Sequence, residues 1–150
     1  MGPEQLSLAV EIFGVVGVTD VVFRSVTSLA SLVTAARGAN ATARLLLSIL
    51  NNLAAALGEV RAWADDYSGS EFARQGHSVP SELVPLLQRC GAELDDLRRG
   101  LGGVLQPGMG VWRWMANVQL AWSESRIRQS IQVLEAHKTA LLLMVNSRTS

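Results

Sequence analysis

The sequence predicts an all-α domain, an antiparallel bundle of four long helices. Apolar residues recur in alternating steps of four and three along four segments, and no segment shows strand alternation or a hairpin turn. The chain is 49% hydrophobic and only 17% charged, which excludes a disordered chain. Its 150 residues are enough for one self-sufficient core, so we expect a single domain over 1–150.

The first predicted helix runs from about Gln5 to Arg37 and ends before Gly38, a residue that favours helix ends. Two glycines, Gly14 and Gly17, each cost about 1 kcal/mol of helix propensity relative to Ala. The helix is therefore expected either to continue or to break near Gly17–Asp20. Asp20 also lies four residues before Arg24, a spacing at which the two side chains can pair on a helix. Its predicted core seam is Leu8, Ile12, Val15, Thr19, Val22, Val26, Leu29 and Val33.

Three further helices follow. The second starts near Asn40 or Thr42 and fades at Asp65-Asp66, and a loop rich in Ser and Gly is predicted over about 67–79. The third begins at Ser81 and ends at Gln106-Pro107-Gly108, and the fourth spans about Val111 to Asn146. Their seams are Ala43, Leu46, Leu50, Leu53, Leu57 and Val60; then Leu83, Leu87, Cys90, Leu94, Leu97, Leu101 and Val104; then Leu120, Glu124, Ile127, Ile131, Leu134, Lys138, Leu141 and Val145.

The charges and the lone cysteine exclude several classes of partner. Thirteen basic residues balance thirteen acidic ones without a basic run, so no nucleic-acid partner is expected. Cys90 has no second cysteine for a disulfide and fits a reducing compartment. The first residues lack the basic region of a signal peptide, so we expect a cytoplasmic protein.

Residues for catalysis, metal or cofactor binding are not grouped in the sequence. His77, Cys90 and His137 are too far apart for a metal site, and Gly100–Gly103 lacks the Lys-Ser/Thr ending of a nucleotide loop. No Ser or Cys has a base beside it. We therefore expect neither an enzyme nor a cofactor. The four tryptophans, Trp63, Trp112, Trp114 and Trp122, are most simply core residues, with a membrane-interface role as the alternative.

The stretch Gln5–Phe23 is the most apolar part of the chain and approaches the length of about 20 residues that crosses a bilayer. Glu11 and Asp20 argue against a permanent span, because each acid at mid-bilayer costs roughly 2.5–3.5 kcal/mol. Two interpretations stay open: a central bundle helix buried on nearly all sides, or a conditional membrane element. The small residues of Gly14–Gly17 favour the second, because they let helices approach closely.

The fourth segment resembles a family of fungal proteins. Its residues Trp122, Ser125–Arg128, Ile131, Leu134–Lys138 and Leu141–Leu143 look like the Trp–Ser-x-Ile–Leu-Glu–His-Lys helix of the HeLo-like domains that open fungal NOD-like receptors, the STAND proteins. The opening Leu6–Val10 and Gly14–Val18 are similar to the family's first helix, and Ala43–Val60 to its Leu-rich helix.

The resemblance implies a helical effector domain for innate immunity, heterokaryon incompatibility and programmed cell death. Related domains self-associate on activation and insert the N-terminal helix at the plasma membrane. The 150 residues hold no nucleotide-binding motif, so we expect an excised domain or a stand-alone copy that takes its signal from an upstream receptor module.

Two groups of residues are therefore candidates for function. For membrane contact or helix–helix approach they are Leu6, Val10, Phe13, Gly14, Gly17 and Val21. For anionic lipid headgroups they are Arg126 and Arg128, each contributing about 1 kcal/mol near such a surface. The alternative is a helical module that oligomerises and binds proteins without touching a membrane. Solvent exposure of Leu6–Val21 in the resting fold is the observation that separates core, interface and poised membrane element.

Overall fold

The computed structural model describes four helices and part of the segment before the third. The described residues are 3–35, 41–69, 79–102 and 124–146, with side chains described for 10–34, 41–66, 79–100 and 125–146. The helices are α1 (Pro3–Ala35), α2 (Ala41–Gly69), α3 (Leu83–Gly102) and α4 (Glu124–Asn146). These residues contain no strand, so the all-α prediction is confirmed.

One hydrophobic core joins all four helices. Within the described side chains, every apolar seam residue predicted for the four segments is buried, as is Thr19. The alternating steps of four and three place these residues on one face of each helix, and burying that face is what stabilises the bundle. Trp63 joins the core, as predicted, while Trp112, Trp114 and Trp122 lie outside the described residues.

The described helices pack as a four-membered ring. The neighbouring pairs are α1–α2, α2–α4, α4–α3 and α3–α1, so α1 and α4 lie across the diagonal. An ion pair between Asp20 and Arg61 shows that α1 and α2 run in opposite directions, since few residues separate Ala35 from Ala41. The directions of the other helix pairs stay a prediction.

Of the two possibilities left open for the first helix, the structure shows continuation without a break at Gly17–Asp20, because α1 is continuous from Pro3 to Ala35. Thr19 lies within the continuous helix, where its hydroxyl donates a hydrogen bond to the Val15 carbonyl oxygen, 2.6 Å away in the preceding turn. Asp20 is held by α2 instead of by a helix end. Tertiary packing on one side therefore offsets the low helix propensity of Gly14 and Gly17.

Two helix boundaries differ from the prediction. The second helix continues to Gly69 instead of fading at Asp65-Asp66. Residues 67–69, predicted to open the loop over 67–79, therefore belong to the helix. Most of that loop, residues 70–78, lies outside the described residues. The third helix starts at Leu83, where the backbone N–H donates to the Pro80 carbonyl oxygen at 3.1 Å, and not at Ser81. Residues 103–123, which include the first part of the predicted fourth helix, also lie outside.

The packing between α1 and α3 is close at one glycine. A Cβ atom placed on Gly91 would lie 3.4 Å from Val22 Cγ2. Because α1 contacts α2 and α3 through its buried seam, the side of α1 opposite that seam faces away from the bundle.

Candidate membrane or partner interface

The candidate residues of α1 lie on its outward side. Val10, Phe13 and Val21 are 65%, 75% and 62% exposed, and Gly14 and Gly17 are exposed between them. A Cβ atom at either glycine would meet nothing within 4 Å. We call this surface, formed by Val10, Phe13, Gly14, Gly17 and Val21, the outer face of α1. The interpretation of α1 as a helix buried on nearly all sides is wrong.

The helical repeat explains this placement. At 100° per residue, the five residues of the outer face fall within about 100° of the helix circumference, opposite Val15, Val22 and Val26. The same sequence therefore supplies two apolar seams, one that builds the core and one that faces solvent. Leu6 continues the sequence pattern, but its side chain lies outside the described ones.

Asp20 lies at the edge of the outer face and is neutralised from α2. Arg61 Nη1 donates hydrogen bonds to both Asp20 carboxylate oxygens, at 2.7 and 2.9 Å, and Arg61 Nε contacts Asp65 Oδ1 at 3.4 Å. The hydrogen bond to Asp20 raises the pKa of the Arg61 guanidinium. The predicted Asp20–Arg24 pair is wrong, because Asp20 pairs with Arg61 of the neighbouring helix α2. Residue spacing within α1 does not reveal a partner on another helix.

Glu11 and Arg24 are both exposed on α1, about 140° apart around the helix. Within the described part of the chain, neither charged side chain has an ion-pair partner. At about 100° per residue Arg24 falls within the arc of the outer face, whereas Glu11 lies about 110° around α1 from the centre of that arc.

The arginines proposed for headgroup contact are not part of this surface. Arg126 and Arg128 are exposed on α4, which lies diagonally across the bundle from α1. They flank the buried Ile127, and residues two apart on a helix point to nearly opposite sides. The structure therefore brings the two arginines neither to the outer face of α1 nor to a common patch.

Described residues of the fourth-helix motif take part in the packing of α4 within the bundle. Leu134 is fully buried, and Lys138 Nζ lies 2.6 Å from Glu135 Oε1. His137 is half-buried, and its pKa is lowered first by burial and then by the Arg89 charge, while Glu93 opposes the shift. Local packing is thus one role of these residues.

Groups suited to catalysis or metal binding are scattered in the described structure. No group of three His, Cys, Asp or Glu side chains in that part of the chain is close enough to hold a metal ion. Burial, assisted by the nearby Glu93 charge, raises the pKa of the Cys90 thiol to about 12, so this sulfur stays protonated. Asp65, Asp66, Asp95 and Asp96 are exposed.

Two helices are long and apolar enough to cross a membrane, judged by length and composition alone. They are Val10–Thr34 in α1 and Ala41–Asp66 in α2. Sequence reasoning singled out only the first. The second passes the same test because of its Leu-rich core seam, and a core helix of a soluble bundle passes it as well.

Other exposed apolar side chains were not singled out by the sequence. Phe23 is partly exposed on a different side of α1, and Leu45 and Leu143 are exposed on α2 and α4. They lie on three different surfaces of the described helices, and scattered single exposures are ordinary in soluble proteins. The outer face of α1 differs because its apolar residues are contiguous.

The chain matches no protein-family model, no curated protein and no solved structure. The similarity to HeLo-like domains therefore rests on the motifs in the sequence.

Proposed function

We propose that this chain is an effector domain of the HeLo-like kind, which self-associates and engages the plasma membrane through α1. The observation that supports the proposal is the outer face of α1, where three large apolar side chains and two bare glycines face solvent. A contiguous apolar surface of this kind marks a site of interaction with protein or lipid.

The charges around the outer face suit contact with a membrane surface better than a permanent span. Asp20 is neutralised by Arg61, so it does not expose a free carboxylate to lipid. Arg24 extends from the same side of α1, where one cation near anionic headgroups contributes about 1 kcal/mol. An apolar stripe flanked by a cation is typical of a helix that lies in the interface of a bilayer.

The choice of α1 over α2 follows from what each helix exposes. The outward residues of α2 include Asn51, Asn52 and Glu59, and among its described side chains the exposed large apolar one is Leu45, at 42%. Lipid contact through α2 would require the core seam to leave the bundle, whereas the outer face of α1 is accessible in the resting fold.

In this proposal the chain acts from the cytoplasm, relocates to the plasma membrane on activation by an upstream receptor module, and causes cell death there. A second candidate function is a helical module that binds only proteins. The bare backbone at Gly14 and Gly17 favours it, because a partner helix approaches most closely where no Cβ intervenes.

Vesicles of phosphatidylcholine with and without phosphatidylserine separate these functions. The full chain is expected to float with the anionic vesicles and to release an entrapped dye. Phe13→Glu places a charge on the outer face at its most exposed apolar side chain and is expected to abolish both effects. Leu143→Glu is the matched control, because Leu143 is similarly exposed but lies on α4.

Absence of vesicle binding by the wild-type chain would contradict the membrane proposal, as would equal losses in the two variants. The same pair of variants tests cell death in a fungal or yeast host. Deleting residues 1–23 is a poorer test, because the deletion removes Ile12, Val15, Thr19 and Val22 from the core.

A further inference from the structure

The exposed positions of α1 are occupied by residues that favour a helix only weakly. Packing does not decide the residue at such positions, so strong helix formers are the usual choice there. Nine of the eleven exposed residues described in α1 are instead β-branched, aromatic, glycine or serine: Val10, Phe13, Gly14, Gly17, Val21, Phe23, Thr27, Ser31 and Thr34. The exposed positions of α4 show the usual choice, with Arg126, Arg128, Gln129, Gln132 and Ala136 among them. The helical state of α1 therefore depends on its packing against α2 and α3.

One window of α1 has the composition of a β-strand. In Val15–Phe23, seven of the nine residues are β-branched or aromatic, none is proline, and one, Asp20, is charged. High β-propensity, low net charge and the absence of proline mark segments that stack across chains as cross-β strands. We call this window the strand-prone segment of α1. Its sequence suits a strand better than the helix that it forms in the bundle.

Two features of the bundle keep the strand-prone segment helical. Val15, Thr19 and Val22 are buried in the core, each at most 2% exposed. Asp20 is held by Arg61 of α2, whose Nη1 lies 2.7 Å from the Asp20 Oδ1. The segment can pair with another chain as a strand only after the three buried side chains leave the core and the ion pair breaks. It is therefore protected while α1 stays packed.

We propose that α1 is a conditional helix. When α1 is released from α2 and α3, its strand-prone segment pairs with the same segment of other copies as cross-β strands. The backbone N–H and C=O groups that bond within the helix then bond between chains, so they keep their partners. The inference rests on the proposed function in taking the self-association of α1 as the event that follows activation, and it names the form of that association.

Asp20 has a second role in this proposal. In the bundle its charge is neutralised by Arg61. In stacked, in-register strands the Asp20 carboxylates of neighbouring copies would lie about 4.8 Å apart and repel each other. A charge within an apolar strand limits pairing between chains in this way. Asp20 therefore slows assembly after release, whereas its ion pair with Arg61 opposes the release itself.

Heating the full chain to its melting temperature without lipid tests the proposal, with thioflavin T fluorescence and infrared spectroscopy as measures of strand formation. The wild-type chain is expected to form strand-rich assemblies whose amides resist hydrogen exchange over Val15–Phe23. Gly17→Glu with Val21→Glu changes two exposed helix positions but adds charge to the strand-prone segment, and is expected to prevent assembly. The matched control, Leu45→Glu with Gly58→Glu, changes exposed positions of α2 in the same way and is expected to assemble as the wild type does. Circular dichroism before heating confirms that each variant is folded.

Two variants that break the same ion pair test the role of Asp20. Asp20→Asn and Arg61→Gln both free α1 from α2, but only the first also removes the charge from the strand-prone segment. Asp20→Asn is therefore expected to assemble several-fold faster than Arg61→Gln near neutral pH, and equal rates would contradict the role assigned to Asp20.

Three outcomes would overturn the inference: unfolding without strand-rich assembly, hydrogen-exchange protection outside the strand-prone segment, or assembly of the Gly17→Glu, Val21→Glu variant at the wild-type rate. Dye release from vesicles without strand formation would also overturn it and leave the proposed membrane function standing. Strand formation by a chain that does not bind vesicles would support the inference and contradict the membrane function.

Discussion

Arg61 of α2 holds Asp20 of α1 through one guanidinium nitrogen, which donates to both carboxylate oxygens at 2.7 and 2.9 Å. This ion pair joins two helices at the edge of the outer face of α1. Any motion that carries α1 away from α2 must break it, so the ion pair opposes release of the helix.

Asp20→Asn is expected to loosen α1 without unfolding the bundle. Both partners are about half exposed, so solvent screens their attraction and the melting temperature should fall by no more than a few degrees. Hydrogen exchange of the α1 amides near Asp20 should accelerate by comparison with those of α3. Asp65→Asn removes the longer contact of Arg61 within α2 and serves as the control. Unchanged exchange in α1 of the Asp20 variant would show that the ion pair does not hold the helix.

Leu29 and Phe13 lie on the same helix and should differ sharply in their contribution to stability. Leu29 is 1% exposed in the core, so Leu29→Ala is expected to lower the free energy of unfolding by about 2–5 kcal/mol. Phe13→Ala should change it by no more than about 0.5 kcal/mol, because the ring is largely in solvent. Urea denaturation measures both. A large loss for Phe13→Ala would mean that this ring packs against the fold.

The repeat of apolar residues was sufficient to predict which face of each helix is buried. Residues such as Val15, Leu50, Leu87 and Leu134 occur at fixed steps, and a helix of 3.6 residues per turn turns those steps into a continuous face. The repeat does not reveal whether a second apolar row on the same helix is covered. Val10, Phe13 and Val21 form such a row in α1, and only the tertiary arrangement shows that they face solvent.

The sequence pattern did not reveal ion-pair partners that are far apart in the chain. Asp20 has Arg24 at a favourable local spacing, yet it pairs with Arg61, 41 residues away in the chain. The choice between a continuous and a broken first helix was open for a related reason. Thr19 lies in the core, where its hydroxyl bonds within the helix, and the packing of neighbouring turns keeps α1 continuous. Glycine and capping signals act locally, and tertiary contacts outweigh them here.

The lowered pKa of His137 predicts how the free energy of unfolding depends on pH. Its pKa in the folded chain is lowered below the ordinary 6.5 by burial and by Arg89. Between the lowered pKa and 6.5 the unfolded chain binds more protons, so the free energy of unfolding should rise with pH and level off above about 6.5. Denaturation at about pH 5 and about pH 7.5 measures the rise. His137→Gln should reduce the rise in this window, and an unchanged profile would assign it to other groups. His77→Gln provides the control for loss of a histidine.

Alanine substitutions at Gly14 and Gly17 are expected to affect the stability of the fold and the contacts of the outer face of α1 in opposite directions. Alanine at either position is expected to raise the free energy of unfolding by about 1 kcal/mol, because a Cβ would meet nothing and the helix gains propensity. Gly58→Ala on α2 should stabilise the chain similarly, because that position is also open, and should leave self-association unchanged. If α1 pairs with a second copy, alanine at Gly14 or Gly17 should weaken dimerisation by forcing the helices apart, while vesicle binding is retained because a methyl group adds apolar surface. A loss of vesicle binding with dimerisation intact would reverse the assignment of the glycines from protein contact to lipid contact.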